Sequence, residues 1–85
     1  MIEKHAADLA AQMGINLTRV SFFDGKLSGS PDFHLLQMHS NGQTESAIIF
    51  QLELEDLQKG ITSNILETRL RKALSRLQAQ LDPYP

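Results

Sequence analysis

Asn41-Gly42 stands between two largely apolar runs, Phe33 to Ser40 and Gln43 to Leu52, and no other feature of the chain constrains its fold as much. A type I′ turn needs positive φ at both central residues, and Asn-Gly supplies them at the least steric cost, so the segment predicts a β-hairpin. A two-residue loop also leaves a single register. Ser40 faces Gln43, Met38 faces Glu45, Leu36 faces Ala47, Leu35 faces Ile48, and Phe33 faces Phe50. One face of the hairpin then carries Phe33, Leu35, Ile48 and Phe50. The other carries Leu36, Met38, Ala47 and Ile49, diluted by His34 and Glu45. An antiparallel sheet with one solvated face alternates cleanly between apolar and polar, and this one does not. Either the second face is covered as well or it binds something. The diluted face, Leu36, Met38, Ala47 and Ile49, is the one expected to contact another protein.

The flanking segments supply the rest of the core. Ile2, Ala6, Leu9, Ala10 and Met13 recur at spacings of three and four, which predicts an amphipathic helix ended by Gly14. Residues 15–23 are β-branched and aromatic and predict a strand. Ile15 and Leu17 share one parity and Val20 and Phe22 the other, so the strand either contains a bulge near Arg19 or starts late. Residues 24–32 hold Asp24-Gly25, Ser28-Gly29-Ser30 and Pro31, all turn chemistry, and predict the longest and most mobile connection. Residues 53–60 form a short acidic link with room for a helical turn closed by Gly60. Beyond it Leu66, Leu70, Ala73, Leu74, Leu77 and Leu81 make a continuous apolar stripe, with Asn64 as cap and Thr62 or Ser63 as alternatives. The fold class expected is α+β, in the order α-β-β-β-α. Both helices would pack on one side of a three-stranded antiparallel meander. A single domain is expected over 1–81, and Asp82-Pro83-Tyr84-Pro85 is a short tail that stops the helix.

Composition narrows the chemistry. With no cysteine among the 85 residues, disulfides, thiolate metal sites and a cysteine nucleophile are excluded, and a cytoplasmic setting is expected. The first eight residues mix charges of both signs and lack the apolar core of a signal peptide. The longest apolar run, Ala47-Ile48-Ile49-Phe50, is far short of the roughly 20 residues of a membrane-spanning helix. Of the three histidines, His34 and His39 lie an odd number of residues apart on one strand and so face opposite ways, while His5 is on a separate helix. The acidic Glu53, Glu55 and Asp56 lack the alternating ligands and central glycine of a calcium loop. There is no Gly-x-Ser-x-Gly elbow, P-loop or Gly-x-Gly-x-x-Gly pattern. No catalytic residue, cofactor or metal is expected.

Arg69, Arg71, Lys72 and Arg76 hold half of the eight basic residues within two turns of the last helix. Arg69, Lys72 and Arg76 share one stripe, a candidate phosphate contact. The same placement also suits the negative end of a helix, and the net charge of −2 opposes bulk attraction to nucleic acid.

The α-β-β-β-α order resembles that of the double-stranded-RNA-binding domain over most of the chain. Gly29-Ser30-Pro31-Asp32-Phe33-His34 is similar to that family's loop between its first two strands, where a Gly-Pro and a nearby His enter the minor groove. The resemblance implies RNA contact through this loop and the last helix. The sequence departs from it where that helix begins, with Ile61-Thr62-Ser63-Asn64 in place of a lysine-rich run. The same order of elements occurs in other small bacterial proteins, including a nucleoid-associated family whose motifs are not found here.

The function expected is therefore a small non-catalytic interaction module, a homodimer or the partner of another protein, with no membrane contact. The alternative is nucleic-acid binding through Arg69, Lys72 and Arg76.

Overall fold

At the hairpin turn φ is +47° at Asn41 and +80° at Gly42 in the computed structural model, which describes residues 1–81. The tail expected at 82–85 lies outside the described residues. Along the chain run α1 (Ile2–Gln12), β1 (Arg19–Phe23), a short 3-10 turn (Gly25–Ser28), β2 (Phe33–Ser40), β3 (Gln43–Phe50), α2 (Gln51–Gln58) and α3 (Asn64–Leu81). The strands form one antiparallel meander in the order β1-β2-β3. β2 and β3 pair in the register that the turn requires, from Ser40 opposite Gln43 to Phe33 opposite Phe50. Of the two expectations for β1, the late start holds. Thr18 donates both its N–H and its hydroxyl to the His39 carbonyl, at 2.8 and 3.1 Å, just ahead of the first strand residue.

Two boundaries differ from the sequence reading. The second hairpin strand stops at Phe50 rather than running to Leu52, and the acidic link is a full helix, α2, that follows without an intervening loop. The Glu53 carboxylate turns the chain by accepting the Phe50 N–H at 2.9 Å, which satisfies one of the donors a helix start leaves open. α2 closes before Gly60, whose φ of +79° a side chain would strain. Ser63, not Asn64, caps α3, its hydroxyl accepting the Leu66 N–H at 3.1 Å.

The core lies on one side of the sheet. Ile2, Ala6, Leu9 and Ala10 from α1 meet Leu66, Leu70, Ala73, Leu74 and Leu77 from α3 over Leu36, Met38, Ala47 and Ile49. The sheet residues in this cluster all point one way, so both long helices cover that face and, among the described residues, the opposite face carries no helix. The stripes read from the spacing of α1 and α3 are the ones buried.

The face expected to contact another protein is thus corrected. Leu36, Met38 and Ile49 are fully buried and Ala47 is 5% exposed, all beneath the helices. The polar residues on this face find partners inside the fold. Ser40 donates its hydroxyl to the Asn16 carbonyl at 2.7 Å, and Glu45 accepts from Gln80 at 2.6 Å and pairs with Arg76 at 3.3 Å. Paired in this way, polar groups cost little to bury.

Leu36→Ala is expected to lower unfolding free energy by about 3 kcal/mol, as for other deeply buried leucines. Met38→Lys is expected to abolish folding rather than to separate folded copies. Urea denaturation followed by circular dichroism measures both.

Candidate functional site

The sheet face without helices is divided. Phe23, Leu35 and Ile48 stand side by side across the three strands, with Phe33 and Phe50 paired at the next position of β2 and β3. Toward the hairpin turn the same face becomes polar, with Ser21, Gln37 and Ser46 in one row and Arg19, His39 and Thr44 in the next. Phe23 and Phe33 are 51% exposed, Ile48 50% and Phe50 39%. The Phe33 and Phe50 rings lie 5.4 Å apart and tilted, a favourable aromatic geometry that holds both rings at the surface. A hollow of about 380 Å³ opens beside them, between Phe23, Leu35 and Ile48 and the loop residues Gly25, Ser28 and Ser30.

That loop is tied by hydrogen bonds of its own. Asp24 caps the 3-10 turn through the Lys26 N–H at 2.9 Å, and Ser30 N–H donates to the Gly25 carbonyl at 2.8 Å. Gly25 is buried, and a side chain there would overlap the carbonyl oxygens of Phe33 and Ser30. Its N–H donates to His34 Nδ1 at 2.9 Å. Because Nδ1 accepts, the neutral ring carries its proton on Nε2, which donates to Gln51 Oε1 at 2.6 Å. Gln51 in turn donates to Glu55 at 3.1 Å. The Asp24 carboxylate lies 3.3 Å from Nδ1, and Phe22 packs on the ring at 5.2 Å.

His34 is 4% exposed with both nitrogens engaged inside the fold. It therefore does not stand where the resemblance would have it enter a minor groove. His39 points the other way, bonded to Thr44 at 2.9 Å. Among the described residues no group of three or more His, Asp or Glu is placed to hold a metal.

Arg69, Lys72 and Arg76 do come together, as their spacing requires, along the side of α3 that borders β3. With Ser46, Ile48 and Phe50 they line a groove of about 340 Å³. Two of the three are committed. Arg69 pairs with Glu53 at 2.7 Å, donates to the Ile48 carbonyl at 3.1 Å and lies 5.0 Å over the Phe50 ring. Arg76 pairs with Glu45. Arg71, on another side of the helix, lies 3.7 Å from Glu67. Lys72 makes no ion pair among the described residues.

Parity alone places Phe33, Leu35, Ile48 and Phe50 together on one side of the hairpin, and Phe23 joins them only through the pairing of β1 with β2. No periodicity in the chain separates the two sides. Comparison with protein-family models, curated proteins and solved structures finds no match.

His34→Ala is expected to destabilise the fold by about 2 kcal/mol, since the buried Gly25 N–H loses its acceptor. Hydrogen exchange at the Gly25 amide should speed up more than at the α1 and α3 core, which distinguishes release of the loop from general loosening.

Proposed function

We propose that this chain is a non-catalytic, cytoplasmic protein-interaction module that forms a homodimer through the open face of its sheet. The observation that carries the reading is the cluster of Phe23, Phe33, Leu35, Ile48 and Phe50 on the face that no helix covers. Large aromatic and branched side chains gathered in one patch are costly to leave in water, and such patches mark contact surfaces. Symmetric pairs are the commonest assemblies, and an isologous interface brings the same patch from both copies. The division of the face assists register, because the polar rows of Ser21, Gln37, Ser46 and of Arg19, His39, Thr44 form one rim of the patch.

Nucleic-acid binding has less behind it. Arg69 and Arg76 would have to leave Glu53 and Glu45 before meeting phosphates, and the carboxylates would remain beside the ligand. Lys72 is left to act almost alone.

Size-exclusion chromatography with light scattering tests the dimer. The wild-type chain is expected to run at twice its 9.5 kDa mass. Phe33→Asp and Ile48→Asp are each expected to raise the dissociation constant roughly hundredfold or more, because about 1.5–3 kcal/mol of apolar burial is lost from each copy. Circular dichroism should remain that of the wild type, since both side chains are already at the surface. A monomeric wild type, or a mass indifferent to both substitutions, overturns the reading.

A further inference from the structure

The free edge of β3 and the basic side of α3 form one groove, and we infer that it takes an extended acidic peptide as a fourth strand. The inference rests on the reading of the chain as an interaction module; its groove borders the dimer patch and shares Ile48 and Phe50 with it, while Phe23, Phe33 and Leu35 lie outside it. β3 is an edge strand, with β2 on one side and no strand on the other among the described residues. In a two-residue hairpin the pair next to the turn, Ser40 with Gln43, is hydrogen-bonded, and bonded and non-bonded pairs then alternate. Thr44, Ser46, Ile48 and Phe50 accordingly point their backbone groups away from β2. Two contacts bear this out, because the Ile48 carbonyl meets Arg69 and the Phe50 N–H meets Glu53. The Ile48 N–H and both backbone groups of Ser46 and Thr44 make no hydrogen bond to another element among the described residues. They are what an added strand requires.

Charge decides the occupant. The groove wall on the helix side is Arg69, Lys72 and Arg76, set against the carboxylates of Glu53 and Glu45. One positive charge is left over, at Lys72. A strand laid along β3 alternates its side chains between the two faces of the sheet. Those on the helix side come to Lys72, the cation left without a carboxylate among the described residues, and suit Asp or Glu. Those on the open side extend the surface of Ile48 and Phe50 and suit apolar types. The sequence recognised is thus an alternation of acidic and apolar residues, about five long, the length of edge from Thr44 to Ile48. A second copy offering its own β3 would instead bring another unpaired Lys72 against this one, like charge to like charge.

The experiment is fluorescence polarisation with a labelled hexapeptide of alternating valine and glutamate, beside its valine–lysine counterpart. The wild-type chain is expected to bind the first, with affinity falling as salt rises, and not the second. Lys72→Glu is expected to weaken binding roughly fivefold, the size of an exposed charge pair. Ser46→Pro removes an N–H that points to solvent, a substitution that an edge strand tolerates, and is expected to abolish binding with the circular dichroism unchanged. Should Ser46→Pro fail to fold, amide exchange on the wild type replaces it, with Ser46 and Ile48 expected to become protected when peptide is added. Phe33→Asp lies outside the groove and is expected to leave peptide binding intact while changing the mass, so the dimer reading and this one fail separately. Absence of binding at low salt, equal binding of both peptides, or indifference to Lys72→Glu overturns the inference. So does a fall in mass with Ser46→Pro, which would assign the edge to pairing between copies.

Discussion

Positive φ at both Asn41 and Gly42 leaves β2 and β3 one way to pair, and the rest of the molecule follows from that pairing. It sets Leu36, Met38, Ala47 and Ile49 on one surface at the spacing that the leucines of α3 and the small residues of α1 cover. It also turns the outer backbone groups of β3 toward α3, where Arg69 reaches the Ile48 carbonyl. A slip of one residue would send every one of these side chains to the opposite face. The turn itself makes little contact with the core, yet it decides which atoms the core contains.

Once the register is set, polar side chains fasten the parts that apolar packing does not reach. His34 stands on the buried face and holds the 24–32 loop through Gly25 and the start of α2 through Gln51. Glu53 accepts from the Phe50 N–H and from Arg69, so one carboxylate joins the end of β3, the start of α2 and the middle of α3. Glu45 does likewise near the other end of α3, with Arg76 and Gln80. Each of these groups is short of water and supplied with partners, which is the condition for burying it without a large penalty.

Most of the architecture was legible in the chain. The stripes of α1 and α3, the hairpin, its register and the α-β-β-β-α order follow from local patterns that need no knowledge of distant residues. The two sides of the sheet were not distinguishable by the same means. His34, Ser40 and Glu45 look like marks of a solvated face, and Phe33 and Phe50 look like core. What reverses the assignment is the supply of partners from remote segments: Gly25 and Gln51 for His34, Asn16 for Ser40, Arg76 and Gln80 for Glu45. Pairings of that kind leave no periodic trace. The basic stripe of α3 was legible as a stripe, whereas its neutralisation by Glu53 and Glu45 depends on how the helix crosses β3. The start of α2 was missed because Gln51 and Leu52 continue the alternation of the strand, and only the reach of Glu53 back to Phe50 ends it.

The direct passage from β3 into α2 bears on how the protein behaves when concentrated. A long bare strand edge is a template on which chains stack without limit, the first step toward fibrils. Here the edge of β3 is cut short at one end by Glu53 and Arg69, which occupy the groups that another strand would need. A neighbour can lie along only a few residues before it meets a helix and two charged side chains. The same contacts that bring the chain out of its sheet therefore ration the edge, leaving enough for one short guest and too little for a growing stack.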